Sequence, residues 1–252
     1  KTIKIALLSS FTINGFYETL RVKMSEHQID GNIHVGAYNQ YNQEILKNNS
    51  ELYNFKPNLT FLMIDTRTIL GEIFYSPYSI SAEERKKNIE KKFLELKNLI
   101  NIFLNKSNSK LIITNLHVPT YSPYGLYETK TEYGFHFMVS DFNKKLETEF
   151  LKNDSVYIFN FNQFVSKYGN DNIFNIKQFL FGDIKISLDY IPFLADEFLN
   201  YILASLGLTK RCIVLDLDNT LWGGVIGEDG FDGIQLGSNP QGNAYVEFQK
   251  YL

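Results

Sequence analysis

Several features are scarce in this sequence of 252 residues, and each scarcity excludes a class of protein. The one cysteine, Cys212, excludes an internal disulfide and fits a reducing, cytoplasmic setting. No apolar run approaches the ~20 residues that cross a membrane, and the first residues predict a strand and not a signal peptide. The net charge of -3 gives no reason to expect a nucleic acid or an anionic membrane as a partner. The remaining composition, 44% hydrophobic and 21% charged, is that of a globular protein with a sizeable core.

Apolar runs alternate with amphipathic segments along the first 207 residues. Short, mainly apolar runs predict strands at residues 3–8, 59–64, 111–114 and 156–161, and an alternating pattern predicts one at 32–37. Helical spacing predicts helices at 15–26, 39–46, 135–151, 162–168 and 192–206. The clearest helix follows Ser81, which forms a capping box with Glu84. This order predicts an α/β fold, a parallel sheet with helices on both faces in three layers.

A domain boundary is expected at residues 207–210, because Gly207 ends the last predicted helix of the first domain. We therefore expect a first domain at 1–207 and the start of a second domain at 208–252. The sequence begins with Lys1 and ends in a segment that looks like an opening helix. On this basis we expect it to be part of a longer protein.

Polar residues follow the predicted strands of the first domain, at the sheet edge where α/β proteins place their sites. They are Ser9, Ser10, Asn39, Asp65, Arg67, Asn115, His117 and Asn160. Two interpretations stay open here. These residues form a functional cleft, or they are the polar turn residues that strand ends carry in any α/β domain.

Two carboxylates follow the last apolar run, because Asp216 and Asp218 come directly after residues 212–215. Like charges this close resist ionising together, so a strand end that carries them normally holds a cation. Mg²⁺ prefers such oxygen ligands and leaves room for a phosphate. The run itself predicts a buried strand with Cys212, as a buried structural thiol, at its start. The alternative to a metal site is an acidic turn.

The segment Asp216-Leu217-Asp218-Asn219-Thr220 resembles motif I of the haloacid dehalogenase-like (HAD) phosphatases, Asp-x-Asp-x-Thr. The resemblance implies that Asp216 is the nucleophile that takes the phosphoryl group and that Asp218 is the acid/base. It also implies that the Asp216 carboxylate and the Asp218 backbone carbonyl bind Mg²⁺. Thr220 would help to position Asp218 beside the bound phosphate. A HAD-like domain of the Rossmann type would then begin here with its first strand and flap.

The residues that follow, Leu-Trp-Gly-Gly-Val-Ile-Gly-Glu-Asp-Gly and then Gly-Ile-Gln-Leu-Gly, resemble the FkbH-like branch of that superfamily. Such proteins typically carry an SGNH-hydrolase-like, flavodoxin-like domain before the phosphatase-like domain. The resemblance implies a Mg²⁺-dependent phosphatase or phosphotransferase that acts on a glyceryl phosphate, 1,3-bisphosphoglycerate. It would load an acyl carrier protein in polyketide, surface-polysaccharide or lipid biosynthesis. Trp222 would line the substrate entrance or pack in the core.

The SGNH resemblance implies a serine esterase, and its sequence blocks can be compared with the first domain. The Gly-Asp-Ser-Leu block falls on 8–11 and keeps its serine as Ser10. Arg67 occupies the position of the oxyanion-hole asparagine, and Ile191 that of the catalytic histidine. A serine without a base is a poor nucleophile, so the fold is expected without esterase activity. Arg67, Asp65 and Ser10 predict instead an anion-binding or docking pocket for the phosphopantetheine of the carrier.

His117 and Asn115 follow the fourth predicted strand, and His117 is the histidine placed best to serve as an unorthodox base. The commoner role of such a histidine is that of a satisfied polar residue. Three functions stay open: the phosphatase or phosphotransferase, a degenerate SGNH-like docking module, and an esterase that uses Ser10. Further phosphate-binding residues cannot be assigned within 219–252, so we expect negligible phosphatase activity from these residues alone.

Overall fold

The computed structural model describes residues 1–210 and 212–252. These residues form two units, Lys1–Leu206 and Gly207–Leu252. No helix in the described ranges is long and apolar enough to cross a membrane.

The first unit is built on a five-stranded sheet with the order β2-β1-β3-β4-β5. Every neighbouring pair of strands is parallel. The strands are β1 (Thr2–Ser9), β2 (Asp30–Val35), β3 (Leu59–Met63), β4 (Lys110–Thr114) and β5 (Val156–Phe159). The predicted parallel α/β fold is confirmed, and β2 begins two residues before its predicted start because Asp30 pairs with Thr2 of β1.

Helices fill the connections between the strands. In the first unit they are α1 (Phe16–Glu26), α2 (Tyr41–Leu46), α3 (Glu51–Phe55), α4 (Thr66–Leu70), α5 (Glu72–Tyr75), α6 (Ala82–Lys106), α7 (Phe135–Phe150), α8 (Phe161–Tyr168), α9 (Asn170–Ile173), α10 (Ile176–Gly182) and α11 (Ile191–Ser205). Short 3₁₀ turns occupy Pro77–Ser79, Gly125–Lys130 and Leu188–Tyr190. The predicted capping box is confirmed, because Ser81 and Glu84 cap α6 reciprocally.

Side chains of the sheet alternate between two hydrophobic clusters, one on each face. On β1, Ile5 and Leu7 belong to the cluster formed with α1 and α11. Ala6 and Leu8 belong to the cluster formed with α6 and α7. Because successive residues of a strand point to opposite faces, this division gives the three layers that the sequence predicts.

The second unit contains α12 (Ile226–Gly233) and α13 (Pro240–Lys250), and the backbone of α12 is broken at Gly230, whose φ is 66°. The strand predicted at 212–215 is not formed. Ile213 is 71% exposed and Val214 is 89% exposed, and Cys212 is exposed as well, so the prediction of a buried thiol is wrong. Within the described part of this unit only isolated bridges occur, and an apolar run without a paired neighbour has no sheet to join.

Candidate functional site

The carboxyl ends of β1 and β3 bring Ser10 and Asp65 into contact. The backbone N–H of Asp65 donates to Ser10 Oγ at 2.8 Å, and both residues are buried. Ser10 also donates its own backbone N–H to Met63 O at 3.0 Å. The hydroxyl of Ser10 is therefore an acceptor that ties two strand ends together.

The Asp65 carboxylate is the centre of a chain of ion pairs. Its Oδ1 accepts from Arg67 N at 2.7 Å and from Arg67 Nε at 3.0 Å. Its Oδ2 accepts from Lys185 Nζ at 2.8 Å. Arg67 Nη2 donates to Asp183 Oδ1 at 2.8 Å, and Asp183 Oδ2 accepts from Tyr38 OH at 2.7 Å. We call Asp65, Arg67, Asp183 and Lys185 the charge cluster.

Charges balance within the charge cluster, because two carboxylates face two cations. Burial pushes the pKa of Asp65 upward, but Lys185 and Arg67 outweigh it and hold that pKa at about 2. The Arg67 guanidinium also lies 3.8 Å from the ring centroid of Phe179. An anion that entered this pocket would have to displace a carboxylate from one of the cations. Anion binding by Arg67 therefore stays a prediction, and the lost ion pair would oppose it.

Lys185 and Asp183 are site residues that sequence reasoning missed. Lys185 keeps only 9% of its side-chain surface exposed, and its Nζ lies 5.4–5.6 Å from the ring centroids of Phe11, Phe161 and Phe174. The available signal was the alternation Asp183-Ile184-Lys185-Ile186, which sets two opposite charges among apolar residues.

His117 lies beside the charge cluster in an aromatic setting. Its ring centroid is 4.7 Å from that of Phe174 and 6.3 Å from that of Phe161. Burial, aided by the nearby charge of Lys185 and opposed by Asp65, lowers the pKa of His117 to about 3. An imidazole with so low a pKa is neutral at pH 7 and is a weak general base.

Asn115 ties β4 to the start of α8. Its Oδ1 accepts from the backbone N–H of Phe161 at 2.8 Å and of Asn162 at 3.3 Å. Its Nδ2 donates to Asn160 Oδ1 at 3.1 Å, and that same oxygen caps α8. Asn39 likewise joins the strand ends through its backbone N–H, which donates to Ser9 O at 3.1 Å. The side-chain hydrogen bonds of Asn115 and Asn160 thus join groups of the protein to each other, which is a structural role.

Ile191 begins α11 and is buried, where the SGNH pattern places a histidine. Asp189, two residues earlier, is exposed. In the described ranges, no histidine side chain forms a hydrogen bond with Ser10. The first unit therefore holds a serine at the expected strand end without the base that would activate it.

In the second unit, a tight loop surrounds the Asp218 carboxylate. Asp218 Oδ1 accepts from Trp222 Nε1 at 3.0 Å and from the backbone N–H of Ile226, at the start of α12, at 3.2 Å. Asn219 has a φ of 54°, and its Oδ1 accepts from the Gly224 N–H at 2.8 Å. The sequence did not predict that Trp222 would hold Asp218.

Asp216 and Thr220 flank this loop differently. Asp216 is exposed, and its Oδ1 accepts from the Leu217 N–H at 2.8 Å. Thr220 is half-buried, and its backbone N–H donates to Leu217 O at 3.2 Å. As metal ligands, Asp216 and Asp218 offer only oxygen atoms, and the Asp216 carboxylate is exposed. This donor set fits Mg²⁺, which needs one or two carboxylates and otherwise keeps its waters.

Comparison with known proteins identifies the family. A sequence model of the FkbH N-terminal domain matches residues 4–203. The chain belongs to the FkbH family. A comparison with curated protein sequences gave no match.

Solved structures similar to this FkbH-family chain include the N-terminal part of BF1531 from Bacteroides fragilis, which contains a phosphatase domain and is complexed with Mg. The identity is 25% and the TM-score 0.83, over 99% of this chain and 65% of that chain. The chain thus spans about two thirds of that structure's length.

Axe2, an acetylxylan esterase from Geobacillus stearothermophilus, is similar at 12% identity and a TM-score of 0.50. The match covers 83% of this chain and 97% of Axe2. This similarity concerns the fold alone, and it agrees with the predicted SGNH-hydrolase-like architecture of the first unit.

Proposed function

We propose that the FkbH-family protein represented by this chain is a Mg²⁺-dependent phosphatase or phosphotransferase with its reacting residues in the second unit. The observation that carries the proposal is the Asp216–Asp218 motif, whose Asp218 carboxylate is fixed by Trp222 and Ile226. The phosphatase domain of the similar BF1531 structure, complexed with Mg, supports the same chemistry.

In this proposal a carboxylate oxygen of Asp216 attacks phosphorus, and the bond from phosphorus to the leaving oxygen breaks. Asp218 gives its proton to that leaving oxygen. Asp218 then takes a proton from the water or acceptor hydroxyl that attacks the aspartyl-phosphate, which restores the Asp216 carboxylate. Mg²⁺, held by the Asp216 carboxylate and the Asp218 backbone carbonyl, would neutralise charge on the phosphate. Thr220 and Trp222 would border the phosphate and substrate.

The proposed substrate is the glyceryl phosphate 1,3-bisphosphoglycerate, and its glyceryl group would pass to the phosphopantetheine thiol of an acyl carrier protein. In that transfer the thiol sulfur would bond to the acyl carbon, the bond from that carbon to the phosphate oxygen would break, and phosphate would leave with the thiol proton. Asp216 and Asp218 would remove the phosphate that remains. Polyketide, surface-polysaccharide or lipid biosynthesis in the cytoplasm would use such a product. The substrate and acceptor rest on the family, and the cytoplasmic setting fits a sequence with one cysteine.

The first unit is proposed to dock a partner and not to hydrolyse an ester. Ser10 accepts a backbone hydrogen bond and lacks a base, while His117 has a depressed pKa. Beside the charge cluster, α10 exposes three apolar side chains, and its Phe179 ring stacks on Arg67. These exposed residues are Ile176, Leu180 and Phe181. An exposed apolar group beside paired charges suits recognition of another protein.

Magnesium binding can be followed directly, because Trp222 is the only tryptophan in the sequence and donates to Asp218. We expect Mg²⁺ to change the fluorescence of Trp222 in a saturable way and Asp216→Asn to abolish that change. Asp232→Asn removes one exposed carboxylate from the same unit and should leave the titration unchanged. A titration that is identical in the Asp216→Asn variant would remove Asp216 from the metal site.

Phosphatase activity provides the second measurement. We expect negligible turnover of a phosphate ester by residues 1–252 and Mg²⁺-dependent turnover by the full-length protein, lost in Asp216→Asn. Turnover by residues 1–252 that Asp216→Asn abolishes would contradict the first expectation. An unchanged rate in the full-length Asp216→Asn variant would contradict the assignment of the nucleophile.

Docking is tested with a purified carrier protein by calorimetry. Phe181→Ser changes a side chain that is 92% exposed, and we expect it to weaken binding at least fivefold. Leu126→Ser changes a side chain that is 96% exposed on another segment, and it serves as the matched control. Arg67→Ala is expected to weaken binding as well. Equal affinity of the wild type, Phe181→Ser and Arg67→Ala would remove the docking surface.

The esterase alternative is tested by hydrolysis of a short acyl ester. We expect no activity above that of Ser10→Ala, because the Ser10 hydroxyl lacks a base. An activity that Ser10→Ala abolishes would restore the esterase function.

A further inference from the structure

Three possible metal ligands converge at the β2 edge of the sheet, in the first unit. They are His34 on β2, Glu44 on α2 and Glu51, which is the first residue of α3. One ligand atom from each lies within 4.8 Å of the other two. His34 Nε2 and Glu44 Oε2 are 3.9 Å apart. We call these three residues the edge cluster.

The imidazole of His34 points a buried atom into the edge cluster. His34 Nε2 has essentially no exposed surface and no hydrogen-bond partner among the described residues. The ring lies beside Phe55, with a centroid separation of 5.7 Å. Buried polar atoms are nearly always satisfied, so an unsatisfied imidazole nitrogen that faces two carboxylates indicates a missing partner.

The electrostatics of the edge cluster call for a cation. In the described ranges, no lysine or arginine nitrogen lies within 4.0 Å of the Glu44 or Glu51 carboxylate. Two neighbouring carboxylates repel each other unless a positive charge lies between them. Glu44 Oε2 also accepts from the Leu52 N–H at 3.1 Å, which orients this carboxylate as hydrogen bonds orient metal ligands.

We propose that His34, Glu44 and Glu51 bind a divalent transition-metal ion of the Zn²⁺ class. One imidazole and two carboxylates are a common donor set for Zn²⁺, and a water would complete four-coordination. Tetrahedral bonds of about 2.0–2.1 Å set ligand atoms about 3.3 Å apart. The exposed Glu51 side chain and Glu44 would close the remaining gap, which is at most about 1.5 Å, by small rotations. The ion would join β2 to α2 and α3, away from the Asp216–Asp218 motif in the sequence and in a different unit.

The test is calorimetric titration of the EDTA-treated protein with Zn²⁺ alone. We expect one site that survives Asp216→Asn/Asp218→Asn, which silences the second unit. In that background, Glu51→Gln should weaken binding at least tenfold, and Glu18→Gln, an exposed carboxylate on α1, should not change it. Glu51 is exposed, so its substitution spares the fold. Equal affinity with and without Glu51→Gln would overturn the site.

Direct coordination is checked by NMR of protein with ¹⁵N-labelled histidine. One equivalent of Zn²⁺ should shift His34 Nε2 and leave His27, His117 and His136 unchanged. If His34 Nε2 does not move at saturating Zn²⁺, the ion binds elsewhere and the proposal is wrong. If His34 instead gains only a proton and pairs with Glu44 in the presence of Zn²⁺, the proposal is equally wrong.

Discussion

The Asp65 carboxylate is buried between Lys185 and Arg67, and Asp65→Asn is the substitution that tests this charge. The substitution keeps the size and an acceptor for the Arg67 N–H but removes the charge. It leaves Lys185, with only 9% of its side chain exposed, without its partner at 2.8 Å. Breaking a buried ion pair on one side leaves an uncompensated charge, which costs about 3–5 kcal/mol.

Part of that cost can be worked from the pKa of Asp65. Its depression from 3.8 to about 2 stabilises the folded state by about 2.4 kcal/mol at pH 7. Because the folded pKa is the lower one, this stabilisation is complete above pH 3.8 and is lost as the pH falls through about 2. At pH 3 it has declined to about 1.3 kcal/mol.

Urea unfolding followed by far-UV circular dichroism measures the effect, at pH 7 and again at pH 3. Asp65→Asn should lose about 3–5 kcal/mol at pH 7 and about 1 kcal/mol less at pH 3. Adding Lys185→Met should recover part of the loss, because the apolar side chain suits the three surrounding rings. Asp196→Asn, which breaks the partly exposed pair with Lys23, is the control and should cost about 1 kcal/mol or less. Losses that are additive, or equal to that of the control, would refute the reasoning.

Three further stability predictions use the same urea assay. Ser81→Ala should lower the free energy of unfolding by about 1 kcal/mol, because it removes the cap of α6. A loss near zero would mean that the capping box does not stabilise the helix. Phe198→Ala should cost about 3–5 kcal/mol, since its buried ring packs against three aromatic rings on one face of the sheet. Asn143→Ala should cost about 1–3 kcal/mol, because the buried Leu116 N–H loses its acceptor while the Leu116 carbonyl keeps Asn162 Nδ2. A loss under about 1 kcal/mol would contradict that role.

The sheet and its long helices were predictable because their signals are local or periodic. Residues 59–64 are apolar except for Thr60, and β3 within this segment is buried along its whole length. The capping box of α6 needs only two residues, three apart. The short helices α9 and α10 escaped prediction, since four to seven residues carry too little periodicity. The one local signal for α10 was Asn175, a residue type that favours helix starts, and its Oδ1 accepts from the Lys177 and Gln178 N–H groups.

The strand-end residues of the candidate site in the first unit were predictable, but their partners were not, because those partners lie far away in the sequence. Ser10, Asp65 and Asn115 were found because strand ends of a parallel sheet meet at one edge. Their partners could not be read in the same way, because Lys185 is 120 residues from Asp65 and a lysine in a loop is normally solvated. The missed residues Asp183 and Lys185 place Arg67 in a neutral cluster, so an anion that binds Arg67 would have to displace a carboxylate.

In the acidic motif of the second unit, too, local contacts were predictable and long-range contacts were not. The Asp218 carboxylate is held by groups four and eight residues away, Trp222 and Ile226, so turn chemistry suffices to place it. Asp216 follows an apolar run that is exposed along Ile213 and Val214, and its own bond reaches only the next residue. A strand end is fixed by neighbouring strands, and no local contact can replace them. The Asp218 carboxylate, the proposed acid/base, is therefore preformed by the loop, while the position of Asp216, the proposed nucleophile, depends on strand pairing. Trp222 donates to Asp218, so its fluorescence is the probe for the proposed metal, which Asp216 would help to bind.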